Sequence, residues 1–156
     1  MSSHGAPTIQ LEGAHGMKVT VVAGMWHEEI AEALVAGATR VLERAGADTS
    51  IVRVPGSFEL PVVAKAALDG GAAAVVALGV IIRGGTPHFE YVSSAATTGL
   101  TDVALQTGKP VGFGVLTLDD EKQGLDRAGL PGSSEDKGAE AAEAALHTAL
   151  ILRGLS

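Results

Sequence analysis

The chain has 156 residues, 46% of them hydrophobic, and a formal net charge of −7. This length and composition predict a single domain over residues 1–156, and the acidic charge disfavours broad attraction to nucleic acid. The absence of cysteine excludes disulfides, thiolate metal sites and cysteine nucleophiles. No apolar run reaches the ~18–20 residues of a membrane span. Because the N-terminus also lacks the order of a signal peptide, a cytoplasmic protein is expected.

Short β-branched runs alternate with helical patterns along the chain. Residues 1–7 are expected to form a loose tail, and Thr8 to Leu11 could pair as a short extra edge strand. Four buried strands are predicted at 17–23, 49–54, 73–81 and 110–117. Helices are predicted at 27–46, 58–71, 87–108, 119–129 and 133–154. A serine is expected to cap the last of them. This alternation predicts an α/β domain with a four-stranded parallel sheet.

The aromatic residues are few, and all of them lie in or shortly after predicted strands: Trp26, Phe58, Phe89, Tyr91 and Phe113. Ligands of parallel α/β sheets bind beyond the carboxyl ends of the strands. Rings collected along that edge favour stacking on a flat ligand. The alternative is that they close the core at the same edge.

The loop after the third strand has the composition of a phosphate site. Gly84 and Gly85 let backbone N–H groups approach a ligand, Thr86 adds a hydroxyl, and Pro87 suits the first position of a helix. The alternative is a flexible turn. His88 then follows in the first helical turn, where an imidazole could move protons near neutral pH. The alternative for this histidine is a surface or capping role.

Four further charged or titratable residues stand near the ends of predicted elements. Arg127 could bind a phosphate in a bidentate manner, or pair with Asp126 or another nearby carboxylate. Lys137 opposes the dipole of the last helix and could serve an anionic ligand or a partner subunit. Glu59 could accept hydrogen bonds from a polyhydroxy group, or simply favour the dipole of its helix. His27, after the first strand, is interpreted as a surface or capping residue.

The last predicted helix carries apolar residues around most of its circumference. One face of a sheet cannot cover all of them. This distribution favours a homo-oligomer, with deep burial inside one subunit as the alternative.

Five segments of the chain together resemble the lumazine synthase family, over roughly residues 16–153. Each motif alone is modest, but the five in order are highly specific. They are "VPGSFELP" (54–61), "ALGVIIRGGTPHFEYV" (77–92), "FGVLT" (113–117), "DRAGL" (126–130) and "EDKGAEAA" (135–142). The resemblance implies a flavodoxin-like three-layer sandwich with helices on both faces of the sheet.

The resemblance also implies an activity, 6,7-dimethyl-8-ribityllumazine synthesis, which is the penultimate step of riboflavin biosynthesis. The reaction condenses 5-amino-6-(D-ribitylamino)uracil with 3,4-dihydroxy-2-butanone 4-phosphate and releases phosphate and water. The resemblance implies that neither a metal nor an organic cofactor takes part. Members of the family form pentamers with active sites at the subunit interfaces. In some members, twelve pentamers assemble into a hollow icosahedral shell. The partners expected are therefore small-molecule substrates and further copies of the chain.

Residue roles carry over motif by motif. The residues implied to hold the pyrimidine and its ribityl chain are Trp26, Ser57, Phe58, Glu59, Val80, Ile81, Ile82, Phe113 and Lys137. Those implied to bind phosphate are Gly85, Thr86 and Arg127. His88 is implied to transfer protons. The resemblance places Phe113 and Arg127 on the neighbouring subunit.

Alternatives on the same scaffold are a non-catalytic flavin- or lumazine-binding protein and a shell-forming protein. The first would need neither His88 nor Arg127, and the second would not keep Gly85 and Thr86. A flavodoxin-type electron carrier would need a phosphate loop after the first strand, and "GMWHEE" lacks serine and threonine. The chain departs from the family pattern at Leu118, and Gly124 is expected to weaken the short helix by up to ~1 kcal/mol.

Overall fold

A computed structural model describes residues 4–156 as a layered α/β domain. Its four strands form one sheet in the order β2-β1-β3-β4, with every neighbouring pair parallel. The strands are β1 (Lys18–Gly24), β2 (Asp48–Val54), β3 (Ala74–Ile82) and β4 (Val111–Leu118). The predicted four-stranded parallel sheet is therefore confirmed.

Five α-helices connect and follow the strands. They are α1 (Glu28–Ala45), α2 (Leu60–Asp69), α3 (His88–Thr107), α4 (Glu121–Arg127) and α5 (Lys137–Leu155). A single 3₁₀ turn, Ser57–Glu59, precedes α2. Two buried clusters lie on opposite faces of the sheet, with α1 and α5 over one and α2 and α3 over the other. This is the predicted three-layer arrangement. None of these helices, within residues 4–156, is long and apolar enough to cross a lipid bilayer.

The central strands supply side chains to both buried clusters. Val21 and Ala23 of β1 pack in the cluster beneath α1 and α5, whereas Val22 between them packs in the opposite cluster. All but the last residue of β3 are buried. A strand covered by helices on both faces needs apolar residues at every position, and this explains the unbroken apolar run from 74 to 82.

The N-terminal segment differs from the prediction. Residues 8–11 are not a strand, and the sheet has no fifth member among the described residues. Instead Leu11 packs against the cluster beneath α1 and α5, and the carbonyl of Gln10 lies 3.3 Å from Nδ1 of His147. The segment therefore follows the α5 side of the domain. Residues 1–3 of the predicted tail lie outside the described residues.

The last helix begins four residues later than predicted, and its cap is not a serine. The hydroxyl of Ser134 donates to Oδ2 of Asp126 at 2.7 Å, so this stretch is bonded to the end of α4. The cap is Asp136, whose Oδ1 accepts from the N–H of Ala139 at 3.1 Å. The helix then starts at Lys137. Sequence could not choose among several good capping residues in a row.

Leu118, where the chain departs from the family pattern, and Gly124 of α4 lie in contact. A Cβ built on Gly124 would lie 2.6 Å from Cδ1 of Ile30 and 2.8 Å from Cδ1 of Leu118. Glycine at 124 thus lets the short helix approach the sheet closely, over the buried Leu118 side chain. Its low helix propensity is offset by this packing and by the Asp120 cap, which accepts from the Gln123 N–H at 2.9 Å.

Candidate active site

A cleft of about 580 Å³ lies beyond the carboxyl ends of β1, β2 and β3. It brings together eight of the predicted site residues, which come from three separate connections and one strand end. They are Trp26, Ser57, Phe58, Glu59, Val80, Ile81, Ile82 and His88. We call this the first cleft. Its position agrees with the rule that ligands bind at the carboxyl edge of a parallel sheet.

Trp26 follows β1 and leaves 67% of its surface exposed. Its ring lies against the turn after β2, because a Cβ built on Gly56 would be 3.1 Å from Cδ1 of the indole. A large exposed aromatic ring at the rim of a cleft is suited to stacking on a flat ligand.

The turn after β2 presents two polar side chains to the first cleft. Ser57 is the one polar residue among those described that is buried as a whole, at 7% exposure. Oε2 of Glu59 accepts a hydrogen bond from the backbone N–H of Gly56 at 3.0 Å, and this bond holds the carboxylate at the cleft wall. Glu59 therefore does not act only through its charge near the helix dipole, because its carboxylate also hydrogen-bonds the backbone of the turn that precedes it.

His88 is the first residue of α3 and lines the first cleft. Its backbone N–H points at Oγ1 of Thr86, 3.4 Å away, so the threonine hydroxyl lies at the helix start. Gly84 and Gly85 are exposed, and a Cβ added to either would meet nothing within 4 Å. The loop from 84 to 87 is therefore open to a ligand, although Gly85 and Thr86 are not among the residues that line the first cleft.

A second cleft, of about 630 Å³, contains three further predicted residues, Phe113, Arg127 and Lys137, whereas Gly85 and Thr86 line neither cleft. It shares no lining residue with the first cleft. Phe113 pairs with Ala77 near the middle of β3 and is 47% exposed. The prediction that all the aromatic rings gather at one sheet edge is therefore wrong for Phe113. A third cleft, of about 680 Å³, includes Arg127 but no other predicted site residue.

The cations of the second cleft are paired with carboxylates. Nε of Arg127 lies 3.5 Å from Oε2 of Glu135, and Nζ of Lys137 lies 3.3 Å from Oε1 of the same residue. Lys137 also lies 3.2 Å from Oε2 of Glu140. Partial burial lowers the pKa of Lys137, but hydrogen bonds and charges from Glu140 and Glu135 outweigh it, so the pKa is raised. The ion-pair partner of Arg127 is thus Glu135 rather than Asp126.

Residues 16–153 match the family model of 6,7-dimethyl-8-ribityllumazine synthase. The chain belongs to this family. Lumazine synthesis, a transferase reaction of riboflavin biosynthesis with small-molecule substrates, is accordingly its activity, as the resemblance of the five segments implied.

Curated relatives agree over the full length of the chain. The 6,7-dimethyl-8-ribityllumazine synthase of Leifsonia xyli subsp. xyli is 74% identical over 99% of this chain and 99% of its own. That of Clavibacter michiganensis subsp. michiganensis is 71% identical over 99% of this chain and 98% of its own. The Streptomyces coelicolor synthase is 55% identical over 100% of this chain and 98% of its own.

Sequence reasoning set aside one residue of this lumazine synthase that the structure brings to the first cleft. His27 lines the cleft, and its ring centroid lies 6.3 Å from that of Trp26. It is exposed and occupies the N-cap position of α1 without a side-chain capping bond, in agreement with the interpretation as a surface residue. Within residues 4–156 it is the one non-glycine residue with a positive φ, at 57°. Such backbone conformations are found preferentially at functional sites, but no sequence pattern predicted this one.

Proposed function

We propose that the first and second clefts are two halves of one active site, which is completed between adjacent subunits of a homo-oligomer. The observation that carries this proposal is that the two clefts share no lining residue within one chain. An enzyme that joins two substrates needs its ring-binding and phosphate-binding groups in one place. Two copies of the chain in contact can provide that arrangement, with the first cleft of one facing the second cleft of the next.

Exposed apolar surface supports an oligomer. Trp26, Phe58 and Phe113 are all exposed at the two clefts, and Ile151 and Leu152 are exposed on α5. Only one side of α5 is buried within the chain. Exposed apolar groups of this kind are expected where subunits meet. We propose a pentamer as the unit of assembly, as in the family; a shell of twelve pentamers and the cytoplasmic location remain predictions.

In this arrangement the first cleft holds the pyrimidine substrate. Trp26 stacks on the ring, while Ser57 and Glu59 hydrogen-bond the ring and the ribityl hydroxyls. Phe58 and the backbone of 80–82 complete the wall. Phe113 of the adjacent subunit covers the ring from the other side. The buried Ser57 supports this role, because a polar group taken out of water gains most from a well-placed ligand partner.

The phosphate of the ketone lies at the exposed loop before α3. The backbone N–H of Gly85, the hydroxyl of Thr86 and the positive end of α3 attract an anion there. Arg127 of the adjacent subunit completes the site and exchanges its contact with Glu135 for the phosphate. Lys137, whose raised pKa keeps it protonated, adds positive charge to the second cleft.

His88 supplies the proton transfers of the reaction. The amine of the pyrimidine attacks the ketone to form an imine with loss of water. Phosphate then leaves and the resulting enol rearranges to a ketone. The ribitylamino nitrogen attacks that carbonyl and closes the ring with loss of a second water. An imidazole exchanges protons efficiently near neutral pH. Holding both substrates together in one site further reduces the activation free energy of the reaction.

Complementation between two inactive variants tests the shared site. His88→Ala damages the first cleft and Arg127→Ala damages the second. The two proteins are unfolded together, refolded as a mixture and assayed by the absorbance of the lumazine product. If sites are shared, about a quarter of them in a random mixture take both intact halves, and turnover returns.

The matched control combines His88→Ala with Trp26→Ala, both in the first cleft. Every site of that mixture carries one lesion, so its turnover should stay at the level of the separate variants. Equal recovery in the two mixtures, or no recovery in the first, would contradict a site shared between subunits. A non-catalytic binding protein would give no product even as wild type.

A further inference from the structure

The loop that presents Gly85, Thr86 and His88 receives little support from packing. An added Cβ would meet no atom within 4 Å at Gly84 or at Gly85, and residues 84–88 are all exposed. Pro87 contributes a carbonyl that accepts from the N–H of Glu90 at 3.0 Å, which belongs to the helix rather than to the loop. Phe89 and Val92 pack α3 against the cluster beneath α2 and α3, but the exposed loop before them has no such contact and depends on polar contacts for its position.

Arg83 stands at the other end of this loop and reaches across it. Its backbone N–H donates to the carbonyl of Leu118 at 2.8 Å, so its main chain continues the ladder between β3 and β4. Its Nη1 donates to Oε1 of Glu90 at 2.5 Å. Its guanidinium also lies over the ring of Phe89, 4.3 Å from the ring centroid. Phe89 and Glu90 directly follow His88, so one side chain ties the strand end to the helix start.

A second bond of Arg83 reaches the connection after β4. Its Nε donates to Oδ1 of Asp119 at 3.2 Å. The N–H of Asp119 in turn donates to Oε1 of Gln123 at 2.7 Å, inside α4. Arg127 is the last residue of that helix. Arg83 therefore contacts the segments that carry His88 and Arg127.

These ion pairs are too exposed to act mainly on folding. The side chains of Arg83 and Glu90 are 47% and 55% exposed. Their hydrogen bond lowers the pKa of Glu90, which keeps the carboxylate charged across the neutral range. Surface pairs of this kind contribute little to stability, but they can still restrict the orientation of a loop.

We propose that Arg83 is a positioning residue that holds the first turn of α3, and with it His88, against the end of β3, while its bond to Asp119 holds the start of α4. This inference rests on the proposed roles of His88 and Arg127. A planar guanidinium suits the task because it donates in two directions while its face stacks on an aromatic ring. A lysine ammonium carries the same charge but cannot hold all three contacts in one fixed geometry.

The test compares Arg83→Lys and Glu90→Gln with wild type in the assembled enzyme. Steady-state kinetics with both substrates should show kcat lowered about 10- to 100-fold, by analogy with the loss of residues that orient metal ligands. The KM for the pyrimidine should change less than about 3-fold, because its cleft is built from other connections. Amide hydrogen exchange over residues 84–90 should become faster in both variants.

The matched control is Arg53→Lys. Arg53 of β2 makes an exposed pair with Glu32, at 2.6 Å and 3.1 Å, and lines neither cleft. Its kcat and its exchange over 84–90 should equal those of wild type. The double variant Arg83→Lys with Glu90→Gln should lose no more turnover than the worse single variant, since both substitutions disrupt the same Arg83–Glu90 bond.

Turnover and exchange in Arg83→Lys and Glu90→Gln that match Arg53→Lys would overturn the inference. If Arg83→Lys fails to assemble, Glu90→Gln carries the same comparison. His88→Ala, assayed alongside, tests the proposed function separately. Full turnover in His88→Ala would remove the role of that imidazole, while the exchange rates over 84–90 would still decide whether Arg83 holds the loop.

Discussion

Ser57 occupies the space that a side chain at Gly79 would need. A Cβ built on Gly79 would lie 2.4 Å from Oγ of Ser57 and 3.2 Å from Cδ1 of Leu60. The bare backbone of β3 therefore lets the turn after β2 sit directly on the sheet. This contact places a buried residue with a hydroxyl at the wall of the first cleft, between the turn after β2 and the strand β3.

Gly79→Ala should disturb both folding and ligand binding. The added methyl must displace Ser57, and overpacking of this kind typically costs about 1–3 kcal/mol in the free energy of unfolding. Denaturant unfolding measures that loss, and calorimetric titration should show weaker pyrimidine binding. The control is Gly154→Ala in the last turn of α5, where an added Cβ meets nothing within 4 Å. Equal stability of the two variants would contradict the close contact between β3 and the turn.

Much of this architecture could be predicted from sequence because it depends on local patterns. The apolar run at 73–81 predicted a buried strand, and Pro87 predicted the helix that follows. The motif "VPGSFELP" belongs to the segments whose family resemblance implied ligand-binding roles for Ser57 and Glu59, and both residues line the first cleft.

The remainder depends on contacts between distant segments, which no local pattern reports. Glu135 lies between Arg127 and Lys137 only because the chain from 133 to 136 bonds to the end of α4 instead of starting a helix. Phe113 was grouped with the other rings, but its register with Ala77 places it in the second cleft. The conformation of His27 could not be predicted either, since a positive φ is uncommon for any residue other than glycine.

Trp26→Ala should weaken binding of the pyrimidine by about 1–3 kcal/mol, by analogy with the stacking of bases on aromatic side chains. Calorimetric titration measures the loss in the variant. In wild type the fluorescence of Trp26 gives an independent signal, because it is the single tryptophan of the chain. Trp26→Phe keeps an aromatic face and should recover most of the affinity. Unchanged affinity in Trp26→Ala would assign the ring to packing against the Gly56 turn.

Arg127→Ala should raise the KM for the phosphorylated ketone more than the KM for the pyrimidine. A hydrogen bond to a charged group contributes about 1.5–3 kcal/mol, which corresponds to roughly 10- to 100-fold in affinity. Steady-state kinetics with each substrate varied in turn separates the two constants. Lys122→Ala, on the same helix but outside both halves of the proposed site, is the control and should match wild type. Similar increases in both KM values would argue against a phosphate contact.

Ser134→Ala should raise the pKa of Asp126. The hydroxyl of Ser134 donates to Oδ2 at 2.7 Å and its backbone N–H donates to Oδ1 at 3.0 Å, and these bonds lower the pKa below its usual value of 3.8. A depressed carboxyl pKa adds stability that is present above the unfolded-state pKa and is lost as the pH falls through the folded-state pKa. The variant keeps the backbone donor, so its pKa should rise only part of the way, and stability should depend less on pH in that acidic window.

Carboxyl chemical shifts measured against pH give the pKa of Asp126 directly. Ser133→Ala is the matched control, because the hydroxyl of Ser133 bonds the carbonyl of Leu125 and the N–H of Leu130 but not Asp126. Only Ser134→Ala should move the titration. An identical titration in both serine variants would mean that the hydroxyl bond does not hold 133–136 against α4. The late start of α5, which places Glu135 between Arg127 and Lys137, would then need a different cause.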